Sequence, residues 1–141
     1  MSRTIEFRAW DTVRKIMFSA EEMGKDQLTL SPDGRGFINV HSASTKLSHY
    51  LPHLLPLQFT GLLDKNAKKI WEGDILRFFY GGEELHTGPV SWREEFGVWG
   101  SAIMLTQIEP EDIWVKECEY EVIGNVYEHN FLLEGKNENK R

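Results

Sequence analysis

Three histidines lie in the N-terminal part of the chain, His41, His49 and His53, and the last two are four residues apart. On one helical face that spacing lets two imidazoles hold a zinc ion. Pro52 stands between them, and no glutamate of the H-E-x-x-H kind accompanies them. The segment therefore reads as irregular, and its imidazoles as solvated surface groups. Carboxylates crowd the second half at Glu83-Glu84, Glu94-Glu95, Glu109, Glu111-Asp112, Glu117, Glu119 and Glu121. Acid–base catalysis needs two carboxyls in unlike environments at a fixed separation. Neighbouring acids in loops point apart and stay hydrated, so these read as a solubilising face, and none follows a calcium-loop pattern. Cys118 is flanked by Glu117 and Glu119, where a thiolate is disfavoured. The chain has no phosphate-binding glycine loop, no G-x-S-x-G and no Cys/His dyad. The expectation is a protein without catalytic activity, metal or cofactor.

Aromatic side chains are the more informative set. Trp71, Phe78, Phe79, Tyr80, Trp92, Phe96, Trp99 and Trp114 fall in one stretch. Tryptophan is rarely buried completely, and a small β-barrel cannot hide every large ring. Trp71, Phe79, Tyr80, Trp92 and Trp99 are accordingly the candidate binding residues for a protein segment, either another protein or a second copy of the chain. The bland alternative places all the rings in the core or in a subunit interface. A second class of function, nucleic-acid association, would rest on Arg3, Arg8, Arg14, Lys15 and Arg35, with Lys140-Arg141 at the C-terminus.

Charge weighs between the two. Residues 1–55 carry 7 Lys/Arg against 6 Asp/Glu, residues 56–135 carry 6 against 15, and the last six residues carry 3 against 1. An acidic body repels a phosphate backbone, because nucleic-acid binding rests on cations that displace counterions. Protein is the favoured partner. One cysteine excludes an intrachain disulfide and fits a reducing compartment. The N-terminus M-S-R-T-I-E-F-R lacks the apolar stretch of a secretory signal, and no apolar run approaches the roughly 18 residues of a membrane helix. The expected location is the cytoplasm, away from membranes.

The elements that must position these residues are mostly short strands. I-E-F-R-A-W alternates, with Ile5, Phe7 and Ala9 on one face and Glu6, Arg8 and Trp10 on the other. Asp11-Thr12 opens a turn toward a second strand at 15–19, and residues 21–25 interrupt the pattern. Leu28 and Leu30, the turn S-P-D-G-R-G and residues 37–40 read as a hairpin. Between Ser44 and Leu57, Pro52 and Pro56 break a helical spacing of leucines, which predicts a turn of helix or an apolar linker. Beyond it come a strand at 57–60 ending at Gly61, the polar turn D-K-N-A-K-K, and I-L-R-F-F-Y, which is apolar on both faces. Further strands are expected at 89–92, 97–99, 102–106 and 120–127, with a short helix at Pro110-Glu111-Asp112. The fold class is mainly β, a small barrel in the C-terminal part preceded by a small α+β or β-hairpin segment. The expected division is 1–55, 56–135 and a frayed tail at 136–141.

Three blocks carry a family resemblance. They are I-E-F-R-A-W-D (5–11) followed by K-I-M, the long run L-Q-F-T-G-L-L-D-K-N-A-K-K-I-W-E-G-D-I-L (57–76), and E-V-I-G-N-V-Y-E (121–128) with Leu132-Leu133 after it. In this order they resemble the YopX family of small bacteriophage and prophage proteins, over most of the chain except 25–55. The resemblance implies an SH3-like C-terminal barrel, a phage origin and the host cytoplasm, with a biochemical role that is unassigned. Ala67 departs from the glycine usual at that place in the family, which bears on the turn there, since alanine resists positive φ. Physically, Gly61, Gly73 and Gly124 suit strand ends and bends, and Asp64, Asp74 and Asn125 are placed to hydrogen-bond turn backbone.

Overall fold

The computed structural model describes residues 3–39, 50–95, 97–101 and 118–138, and in these the chain is mainly β. It divides into two units, residues 1–59 and 60–141.

In the first unit β1 (Phe7–Asp11) and β2 (Ile16–Phe18) form a hairpin, with Ala9 opposite Phe18. A six-residue helix, α1 (Ala20–Lys25), follows where the alternation breaks. Ser19 caps it, its Oγ accepting the Glu22 amide, and the Ser-x-x-Glu spacing is the sequence signal for it. β3 (Leu28–Leu30) and β4 (Phe37–Asn39) make the expected hairpin, and β5 (Tyr50–Leu51) pairs with β4. β6 (Leu54–Leu63) lies along β1 through Gln58. Ala9, Met23, Phe37 and Leu54 are the buried centre, with Phe7, Phe18, Leu28, Leu30 and Leu51 packed around them.

The linker expected around 44–57 needs correcting. Residues 54–57 are strand, and Gly61 lies within that strand with φ 87 rather than ending it. Proline misled because its effect depends on register. Thr12 N donates to His53 O and Phe59 N to Glu6 O, so bonded pairs of this ladder alternate with unbonded ones. Pro56, opposite Ala9, falls at an unbonded pair, where β1 asks for no N–H.

The second unit contains β7 (Lys69–Trp71), which flanks the end of β6, then β8 (Asp74–Tyr80), β9 (Glu83–Pro89), β10 (Ser91–Arg93), β11 (Val98–Gly100) and β12 (Cys118–Asn125). β8 is central, between β9 and β12, and the fold includes a sheet curled as half a barrel. The β12–β8 ladder shifts register between Val122 and Gly124, and the β8–β9 ladder between Phe78 and Phe79, irregularities that bend strands. Gly81 and Gly82, with φ 57 and 85, form the two-residue turn from β8 to β9. Glu83-Glu84, expected in a loop, are therefore strand residues opposite Tyr80 and Phe79. β9 escaped the sequence pattern because its first three residues are exposed and it lacks apolar alternation. Ile70, Leu76 and Val90 form the core, with Leu62, Trp99, Tyr120 and Val122 against it.

α2 (Phe131–Glu138) ends the described chain, so residues 136–138 are helical where a frayed tail was expected. Its first turn is fixed by Leu132 N donating to His129 O and Leu133 N to Asn130 O. Among the described residues no helix is long and apolar enough to cross a membrane. The strand expected at 102–106 and the helix expected at 110–112 lie outside the described residues.

Candidate functional site

Buried polar side chains are the first place to seek chemistry; among the described residues there are five, of which four bind backbone and the fifth, Ser101, has its Oγ buried without a hydrogen-bond partner. Asp64 Oδ1 accepts the amides of Asn66 and Lys68, at 2.8 and 2.9 Å, and its Oδ2 accepts Val122 N. Asp74 Oδ2 accepts Trp71 N. Asn125 Oδ1 accepts Tyr127 N and Glu128 N, while its Nδ2 donates to Glu128 Oε2. Each shapes a local turn, the structural role expected of Asx residues there.

Asp11 is the fourth member of the set and is fully buried. Its Oδ1 accepts the amides of Val13 and Arg14, both at 2.9 Å. Its Oδ2 faces Arg14 Nε at 3.5 Å and His53 Nε2 at 4.0 Å. The Arg14 amide is the main cause holding the Asp11 carboxyl below the ordinary 3.8; burial opposes it, while Val13, His53 and the Arg14 charge reinforce it. Thr12 donates both its amide and its hydroxyl to His53 O. The arrangement clamps one turn to another. His53 thus faces a carboxylate in a turn clamp, and His41 and His49 lie outside the described residues. Among the described residues no three His, Cys, Asp or Glu side chains converge to hold a metal ion.

The five candidate rings do not form one row. Trp92 and Trp99 are cross-strand partners on the β10–β11 hairpin, edge to face with centroids 5.2 Å apart. Trp99 is seated on the core, whereas Trp92 is 47% exposed. Phe79 and Tyr80 are consecutive on β8 and so point to opposite faces. Phe79 lies under Lys65 Nζ, 4.8 Å from the ring centroid, and Tyr80 is exposed at the strand end. Trp71 is half-buried at the end of β7. Phe96 and Trp114 lie outside the described residues.

Sequence reasoning did not single out Lys65, which also pairs with Glu119 at 3.7 Å; nothing in a polar turn marks which lysine folds back. Arg77 pairs with Glu84 across β8 and β9. Among the candidate nucleic-acid contacts, Arg14 faces Asp11 and Arg35 faces Asp33, and Arg8 is half-buried and engaged. The Ser31 hydroxyl and then the Arg35 amide hold the Asp33 carboxyl below its ordinary value, which keeps that pair charged. Arg3 and Lys15 are exposed. Lys140 and Arg141 lie outside the described residues.

A family model described as YopX protein matches residues 6–134 of this chain. The crystal structure of protein EF1440 from Enterococcus faecalis is similar over 94% of this chain and 99% of that one, with a TM-score of 0.55 and 24% identity. At that identity the likeness is one of fold. No curated protein matches the chain.

Proposed function

The chain belongs to the YopX family, and from that premise we propose that it is a non-catalytic phage or prophage accessory protein whose second unit, a barrel of SH3-like kind, docks another protein in the host cytoplasm. One observation carries the reading: Trp92 stands half-exposed and edge-on against Trp99, which is itself seated on the core. A large ring held rigidly by a neighbour offers contact area at little entropic cost, the quality that makes tryptophan an interface anchor. The buried side chains of Asp64, Asp74 and Asn125 serve turns, which leaves the family's recurring blocks a structural explanation.

Affinity capture from phage-carrying cells, run with and without nuclease, tests the proposal. A stoichiometric protein that survives nuclease and is lost with Trp92→Ala supports it. A co-purifying set that vanishes with nuclease would instead favour the nucleic-acid reading, whose cations Arg14 and Arg35 are each matched by an aspartate. A second copy of the chain as the occupant would show as a concentration-dependent dimer weakened by the same substitution.

A further inference from the structure

Resting on that reading, we propose that the Trp92 face takes a lysine- or arginine-bearing segment of its protein partner. Trp92 is one of the most exposed large rings of the described chain, and tryptophan is the best aromatic platform for a cation. The hairpin turn that follows it carries Glu94 and Glu95, both exposed and without an ion pair among the described residues. The hairpin's own cation does not compete. Arg93 follows Trp92 on β10 and so points to the opposite face, where its Nη2 donates to Ser101 O.

The other described ion pairs of this unit use up their cations, Lys65 on Glu119 and Arg77 on Glu84. Residues 60–141 carry 9 Lys/Arg against 16 Asp/Glu, a net balance that attracts cations to this part of the chain and slows the approach of anions. A neutral segment would gain from the ring alone and leave both glutamates unused. An acidic segment or a nucleic acid would meet charge of its own sign.

Fluorescence anisotropy with labelled peptides of one length tests this: hexa-arginine, a neutral proline-rich peptide and hexa-glutamate, each against the full chain. Hexa-arginine should bind saturably and the other two should not. Trp92→Ala should weaken it about 2- to 5-fold if the ring stays wet, and about 30-fold if it is desolvated. Glu94→Gln with Glu95→Gln should weaken it as well and flatten its salt dependence, and these surface changes leave the fold intact. Glu83→Gln, on another strand, should change little. No binding of hexa-arginine would overturn the inference. Equal binding to wild type, Trp92→Ala and the glutamine variant would reduce the effect to general charge attraction and overturn it as well. Trp92-dependent binding of the neutral peptide would overturn it too, yet leave the docking role standing. If neither any peptide nor any captured protein depends on Trp92, both fall.

Discussion

The Asp64 carboxylate accepts the Val122 amide at 2.9 Å, joining residues 58 positions apart in the chain. The same side chain, through its other oxygen, holds the amides of Asn66 and Lys68 in the turn before β7. One residue therefore shapes a turn and fastens it to β12. Lys65 N adds a second bond, to Tyr120 O, and the Tyr127 ring covers Gly73. The two longer blocks of the family pattern are thus two halves of one joint.

Asp64→Ala should lower stability by about 3 kcal/mol, since it strips a common acceptor from three amides and each amide left unpaired away from water costs about 1–3 kcal/mol. Asp64→Asn keeps one acceptor oxygen and should cost roughly half as much. Urea unfolding of both variants checks the order; equal effects would mean that the charge, not the acceptor geometry, matters.

Ala67→Gly should stabilise the protein. Ala67 sits at φ 62, and its amide closes the turn on Asp64 O at 3.0 Å. The left-handed region costs a non-glycine residue about 1–2 kcal/mol, partly offset by the entropy glycine loses on folding, so a net gain of about 0.5–1 kcal/mol is expected. A rise in thermal midpoint would confirm that the chain tolerates strain here.

Gly73→Ala should be worse than Gly61→Ala. Both glycines have positive φ, at 86 and 87, but a Cβ on Gly73 would stand 2.9 Å from the Tyr127 ring while one on Gly61 meets nothing within 4 Å. The difference in chemical denaturation midpoints isolates the contact from the backbone strain. Adding Tyr127→Ala to Gly73→Ala should remove the steric part of the penalty and leave the φ part.

Acid should loosen the first unit through Asp11. Its carboxyl is held below 3.8 in the fold, chiefly by the Arg14 amide, so the stabilisation it brings is complete above that value. It fades as pH falls through the lower folded value, because the unfolded chain then binds the proton more readily. Asp11→Asn should remove this component of the acid transition, as read by unfolding midpoints followed from about pH 5 down to about pH 2.

Trp99→Ala should destabilise more than Trp92→Ala. The first ring packs on the cluster of Ile70, Leu76 and Val90 and its loss opens a cavity, at about 2–3 kcal/mol for a partly buried ring. The second is half-exposed and should cost about 1 kcal/mol, mostly its edge-to-face contact. Calorimetry of the two variants distinguishes the anchor from its support.

Much of the fold was legible because it is written in short-range chemistry. The Leu28–Leu30 and Phe37–Asn39 hairpin follows from alternation and from the glycine at φ 73 in its turn. β8 was marked by apolar residues on both faces, as a central strand demands. What stayed hidden depends on partners far along the chain. Pro56 looked like a breaker because the register that makes it harmless is set by Glu6 and Thr12. β9 looked like a loop because an exposed strand needs no apolar pattern once β8 supplies the ladder. The aromatic set was visible as composition, but which ring stands out was not. That is decided by which of Trp92 and Trp99 the core accepts, and both have the same sequence context of an alternating hairpin.

The order of strands around β8 also has a meaning during synthesis. β9 follows β8 after a two-residue turn and can pair as soon as it emerges, whereas the other edge of β8 waits for Cys118–Asn125. Until then a strand carrying Ile75, Leu76, Phe78 and Phe79 presents an open edge, the kind of surface on which nascent chains stick to one another. Translation pauses after β9 would lengthen that exposure, and a chaperone acting on this chain would find its target there.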